Sequence, residues 1–152
     1  MQLVLVHPEI PHNTGAIGRL CVGLGATLHL VRPLGFALTD RFVKRAGLDY
    51  WPHLDLQLHA DWPSCVAALG AARLWLATTR SSNSLYDCRF APGDVLVFGS
   101  ESEGLPQEVR ASVPPEQSFA IPMPGAHARS LNLAQAAAVA TYEMYRQLYP
   151  SR

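Results

Sequence analysis

The sequence predicts an α/β fold: a mostly parallel sheet covered by helices on both faces. Three observations predict it. Short β-rich runs alternate with stretches of helical period. The runs are apolar at nearly every position, as in strands buried on both faces. The loops that follow them collect Gly, Pro and polar residues. The 152 residues are 49% hydrophobic and 16% charged, too apolar for a disordered tail. A chain of this length can bury roughly 68–70% of its unfolded surface, so one domain over residues 1–152 is expected.

Leu3-Val4-Leu5-Val6 is the first strand, ended by Pro8 and Pro11. From Asn13 the period changes. Ile17, Leu20, Cys21 and Leu24 form one apolar helical stripe, with Asn13 or Thr14 as the expected cap and Gly25 as the stop. Thr27 to Val31 predicts a second strand and Leu56 to His59 a weaker third. Ser64 to Leu69 predicts a short helix, and Leu74 to Ala77 a strand. Val95 to Phe98 follows the turn Pro92-Gly93-Asp94, and Gln117 to Ile121 is the last strand. A final helix runs from about Asn132 to Leu148, with Leu133, Ala137, Ala140 or Thr141, and Met144 on one stripe. Asn132 and Gln135 have the spacing of a capping box.

Composition excludes several classes. No stretch approaches the ~20 apolar residues of a membrane span. The first residues lack a basic leader and a cleavage site, so a cytoplasmic location is expected. Twelve basic and twelve acidic residues balance, which argues against a non-specific nucleic-acid coater and leaves room for a local patch. Eleven of the twelve basic residues are Arg, whose fork suits phosphates and carboxylates; codon bias also produces that excess. Cys21, Cys65 and Cys88 are odd in number and far apart, which fits reduced thiols. The six His residues form no ligand spacing, so no metal is expected.

In open α/β sheets ligands gather beyond the carboxyl ends of the strands. Three loops stand out there. In Pro8 to Arg19, Arg19 lies about 200° around the helix from Ile17, off the apolar stripe. It fits either a solvated face or a site. Phe98-Gly99-Ser100-Glu101-Ser102-Glu103-Gly104-Leu105-Pro106 matches no phosphate-binding loop and no nucleophile elbow. Ile121 to Leu133 runs through Pro and Gly into Arg129, Ser130 and Asn132, which fit capping or ligand contact.

Together the loops carry more. Asn13-Thr14-Gly15-x-x-x-Arg19, Phe98-Gly99-x-Glu101-x-x-Gly104-Leu105-Pro106 and Ile121-Pro122-Met123 … Arg129-Ser130-Leu131-Asn132-Leu133 resemble the three motifs of SPOUT-class RNA 2′-O-ribose methyltransferases. Pro33-Leu34-Gly35-Phe36 … Arg45-Ala46-Gly47-Leu48-Asp49-Tyr50 is similar to the minimal, single-domain subfamily, which methylates the wobble cytidine or modified uridine of tRNA. The spacer Pro124 to Ala128 is one residue longer than the family pattern and lacks its acidic residue.

The resemblance implies an S-adenosyl-L-methionine-dependent enzyme with a C-terminal trefoil knot, working as a homodimer on tRNA. Carried over, the cofactor positions are Ala77, Gly99, Ile121, Met123, Ser130 and Leu131. Arg19 would orient and polarise the ribose hydroxyl, because an Arg pKa above 12 suits it poorly to the role of base. Asn13, Glu101, Ser130 and Asn132 would position Arg19, cofactor and ribose. Arg41, Lys44 and Arg45 form the densest basic cluster, expected on RNA phosphate or on a solvated helix face. Tyr142, Tyr145 and Tyr149 point to a dimer built partly on the last helix. Two other readings stay open: a ribosomal RNA substrate, and a cofactor-binding or RNA-binding dimer without catalysis.

Overall fold

The computed structural model describes residues 1–39 and 49–149. Six strands form one sheet in the order β3-β2-β1-β5-β4-β6, and every pairing between them is parallel. The strands are β1 (Gln2–Val6), β2 (Thr27–Val31), β3 (Leu56–His59), β4 (Leu74–Ala77), β5 (Val95–Phe98) and β6 (Ser118–Phe119). Among the described residues, four α-helices accompany them: α1 (Pro11–Leu24), α2 (Trp62–Leu69), α3 (Gln107–Ala111) and α4 (Leu133–Leu148).

Alternation along the two central strands divides the core. Leu3, Leu5, Leu96 and Phe98 point to one face, where Ile17 and Cys21 of α1 and Ala137, Ala140 and Met144 of α4 cover them. Val4, Val6, Val95 and Val97 point to the other, beneath Trp62 and Cys65 of α2 and Val109 of α3. The apolar strands are thus buried on both sides, as the sequence predicts.

The ends of the helices differ from the expected ones in instructive ways. Helix α1 begins at Pro11 with Ile10 as its cap, not at Asn13 or Thr14. Proline lacks the N–H that a first turn leaves unpaired anyway, so it starts a helix readily. Gly25 ends α1 in the left-handed conformation at φ 61°, as predicted. Helix α2 starts at Trp62, because the Asp61 side chain accepts the Ser64 N–H at 2.8 Å. Helix α3 follows Pro106 and has no counterpart in the sequence reading. At the last strand, Pro115 to Gln117 form a 3-10 turn that takes the first residue assigned to it, leaving Ser118 and Phe119 plus a bridge from Ala120 to Ser84. Helix α4 starts where expected, with the Asn132 oxygen accepting the Ala134 and Gln135 N–H groups at 2.9 and 3.3 Å.

The β4 side is tied down by one buried acid. Asp94 accepts from Arg73 at 2.6 and 2.9 Å, from the Trp75 indole at 2.9 Å and from the Ala91 N–H at 2.8 Å. Burial pushes its carboxyl up, but these donors prevail and hold it below the usual range.

Candidate active site

Strand order reverses between β1 and β5: the chain leaves β1 toward β2 on one side, and β5 lies on the other. Such a switch leaves a crevice at the strand ends. A cavity of about 510 Å³ opens beside it, at the ends of β5, β4 and β6. The loop after β4 lines it with Ala77 to Arg80, the loop after β5 with Gly99 to Leu105, and the chain after β6 with Ile121 and Met123. Ser130 to Leu133 and Asn13 complete the wall. All six positions expected to hold a cofactor line this one cavity, as do Asn13, Glu101 and Asn132.

The β5 loop closes on itself. Ser100 and Gly104 exchange two backbone hydrogen bonds, both 3.1 Å, with Gly104 at φ 71°. Gly99 is buried against the far side of this turn, where a Cβ would run into the backbone of Gly104 and Leu105. A glycine is therefore required at 99 for the turn to fold back so tightly.

Glu101 leaves that turn toward the start of α1. It accepts the Glu9 N–H at 2.7 Å, the Ile10 N–H at 3.0 Å and the Asn13 side-chain amide at 3.1 Å. Glu9 answers by accepting the Ser102 N–H at 3.0 Å and its hydroxyl at 2.6 Å. The Asn13 carbonyl accepts in turn from the Asn132 amide at 2.9 Å. The three loops singled out in the sequence are thus joined by a relay through Glu101, Asn13 and Asn132. Burial pushes the Glu101 carboxyl up; the Glu9 N–H, the Asn13 amide and the Ile10 N–H outweigh it and leave the group below its ordinary value. Glu101 is accordingly a carboxylate at neutral pH, at the positive end of a helix.

Arg19 stands apart. It is exposed on α1, six residues past Asn13 and so about 9 Å further along the axis. It does not line the cavity. Its guanidinium lies 5.7 Å from the centroid of the Tyr50 ring, whose hydroxyl donates to the Gly15 carbonyl at 2.6 Å. Burial raises the Tyr50 phenol, against the lowering effect of the Arg19 charge, so it remains a donor. Ser130 is exposed at the cavity wall. Arg41, Lys44 and Arg45 lie outside the described residues.

Sequence reasoning missed Arg80 and Arg110, which also line the cavity. Arg110 donates to Gln107 at 2.7 Å through Nη2, while its buried Nε–H has no hydrogen-bond partner. An orphaned donor at a cavity wall is a place for a ligand acceptor. With a volume inside the usual range for cofactor sites, and walls made of the loops after β4, β5 and β6, the cavity can take a cofactor-sized ligand. Strand β4 is legible in the sequence, and the strand-end rule applied to it points to the loop holding Arg80.

A parallel sheet with this crevice and these three loops defines a class, and the comparisons agree with it. Residues 1–142 match the SpoU rRNA methylase family, and the chain belongs to that family. This bears out the resemblance carried by the three loops. A tRNA (cytidine(34)-2′-O)-methyltransferase from Methylovorus glucosotrophus (strain SIP3-4) is 49% identical over 145 residues, which are 95% of this chain and 94% of that protein. A solved structure described as giving structural insights into the 2-OH methylation of C/U34 on tRNA superimposes with a TM-score of 0.88. It is 53% identical, covering 96% of this chain and 94% of its own. The methyltransferase AviRb from Streptomyces viridochromogenes, in complex with AdoMet, is 26% identical with a TM-score of 0.81. The match covers 97% of this chain and 57% of that one.

Proposed function

We propose that this protein transfers a methyl group from S-adenosyl-L-methionine to the ribose 2′-hydroxyl of the wobble nucleotide of tRNA, a cytidine or modified uridine. The observation that carries the reading is the convergence of Ala77, Gly99, Ile121, Met123, Ser130 and Leu131 on one cavity, beside the Glu101–Asn13–Asn132 relay. Relatives named for methylation at position 34, matched over nearly the whole chain, support the substrate.

When bound, the cofactor supplies an electrophilic methyl group on sulfur. The chain's own residues place the acceptor. The β5 loop with Ile121, Met123, Ser130 and Leu131 would hold the cofactor, and the unpaired Nε–H of Arg110 would be available to one of its acceptors. Glu101, Asn13 and Asn132 fix the start of α1 relative to the start of α4, which sets the direction in which Arg19 projects. Arg19, always protonated and standing off the cavity wall, would donate to the 2′-hydroxyl oxygen of a ribose seated between it and the cavity, and would stabilise the charge that develops as the proton leaves to another acceptor. Holding that oxygen in a fixed position beside the cavity would supply much of the rate.

The homodimer belongs to the same proposal, with the exposed Tyr142 of α4 and Tyr149 just past its end on the interface. So do a single domain over residues 1–152, the trefoil knot in the C-terminal segment that shapes the cofactor site, RNA contact by Arg41, Lys44 and Arg45, and a cytoplasmic location.

The test is methylation of unmodified tRNA by the purified protein with labelled S-adenosyl-L-methionine. Label should enter tRNA and be lost when nucleotide 34 carries a 2′-deoxyribose. Transfer that persists on the deoxy substrate, or that occurs only on ribosomal RNA, would overturn the assignment.

A further inference from the structure

The centre of the sheet face beneath α2 is apolar, and its β2–β3 corner carries two histidines. There His29 pairs in register with Gln57 and Val31 with His59, so the two histidines are diagonal neighbours on one face. Their Nδ1 and Nε2 atoms lie 2.9 Å apart, the rings tilted by only 13° with centroids 5.2 Å apart. His29 Nε2 lies 2.9 Å from Oε1 of Gln2, the first residue of β1. That oxygen only accepts, so His29 carries its proton on Nε2 and turns the Nδ1 lone pair toward His59. Cys65 drops onto the pair from α2, and its Sγ and the two nitrogens all lie within 4.8 Å of one another. The three residues are 5%, 9% and 0% exposed.

We propose that His29 Nδ1, His59 Nε2 and Cys65 Sγ bind a zinc-type divalent metal ion, with one position left to water. The chemistry of the donors suits a borderline-soft ion. Gln2 supplies what a ligating histidine usually has, an acceptor for the ring nitrogen facing away from the metal. A tetrahedral site needs ligand separations of roughly 3.3–3.6 Å, so the His59–His29 hydrogen bond opens as the nitrogens spread by a few tenths of an ångström, and the sulfur closes by about 1.2 Å at most. Burial lowers both imidazoles below their ordinary value, leaving them neutral and able to ligate. Burial raises the Cys65 thiol to about 11, so it is protonated before metal arrives. On binding, Cys65 releases that proton to solvent, and His59 carries its own on Nδ1 to free Nε2. Two N–metal bonds and one S–metal bond form, with one proton released. The cluster shares no residue with the cavity at the strand ends. Its effect is to pin the edge strand β3 to α2 and β2.

Cobalt(II) titration of the full-length protein tests this. The expected result is one equivalent bound, with a thiolate-to-cobalt charge-transfer band and the intense visible bands of a four-coordinate ion. Cys65→Ser should abolish the charge-transfer band, and His59→Gln should weaken binding at least tenfold. Gln2→Leu should weaken it by about 10–100-fold, the usual worth of such an outer partner. Circular dichroism checks that each variant is folded; His59→Gln, the least buried of the three, carries the test should Cys65→Ser unfold. Wild-type protein that shows no thiolate band with excess cobalt, or a band that survives in Cys65→Ser, would overturn the proposal.

Discussion

The side-chain amide of Asn132 donates to the side-chain carbonyl of Asn13 at 2.9 Å, across 119 positions of the chain. The same Asn132 caps α4 with its oxygen, while the Asn13 amide reaches Glu101. The starts of the first and last helices are therefore fixed by one relay at the wall of the cavity.

Asn132→Ala removes both the cap and the link. It should lower stability by about 1–3 kcal/mol, of which a lost cap accounts for about 1. Asn132→Asp retains the capping oxygen and loses the donor to Asn13, so it should fall between wild type and Asn132→Ala. Urea titrations of the three proteins check the order.

Glu101 predicts a pH dependence. Its carboxyl lies below its ordinary value in the folded protein, so its contribution is fully present above the unfolded pKa of about 4.3 and is lost as pH falls through the folded value. Glu101→Gln places an amide against backbone donors and should cost about 1–3 kcal/mol at neutral pH. The gap between wild type and variant should narrow below about pH 4, which denaturant titrations at stepped pH would reveal.

Arg19 separates chemistry from binding. It is exposed and its removal leaves no buried group unpaired, so Arg19→Ala should change stability by no more than about 0.5 kcal/mol. Because Arg19 does not line the cavity, affinity for the cofactor should also be retained. Single-turnover methyl transfer at saturating tRNA should nevertheless fall by about 10²–10³, the usual worth of one donor aimed at a developing oxyanion.

Asp94 is the strongest purely structural prediction. It is 4% exposed and satisfies the buried Trp75 indole N–H and the Ala91 N–H as well as Arg73. Asp94→Ala should cost about 2–4 kcal/mol, measured by thermal or urea unfolding, because the Trp75 donor loses its partner away from water. Its depressed carboxyl adds to the acid sensitivity in the same sense as Glu101: stability is present above the unfolded value of about 3.9 and lost on acidification.

The parallel sheet is legible because β1, β4 and β5 are short, almost wholly apolar runs, the pattern of strands buried on both faces. Helix α3 was not, since five residues are too few to show a period. The start of α1 was misplaced because Asn13 has the chemistry of a cap, and what diverts it is Glu101, 88 residues away. Long-range partners leave no local spacing. The same reason hid Arg110, whose place at the cavity depends on how the β5 loop folds back, and the grouping of His29, His59 and Cys65 from three separate elements. The cofactor positions were legible only by resemblance. No single loop among the three has a pattern specific enough to name its ligand.

The proposed activity requires the strand-end cavity to be the cofactor site, and calorimetric titration with S-adenosylhomocysteine, the demethylated product, tests that most directly. Wild-type protein should bind it saturably, with one equivalent per chain. Leu131→Trp, which fills the cavity from its wall, should weaken binding at least tenfold without lowering the unfolding temperature. No detectable heat from the wild type at millimolar ligand, or undiminished affinity in Leu131→Trp, would contradict the account.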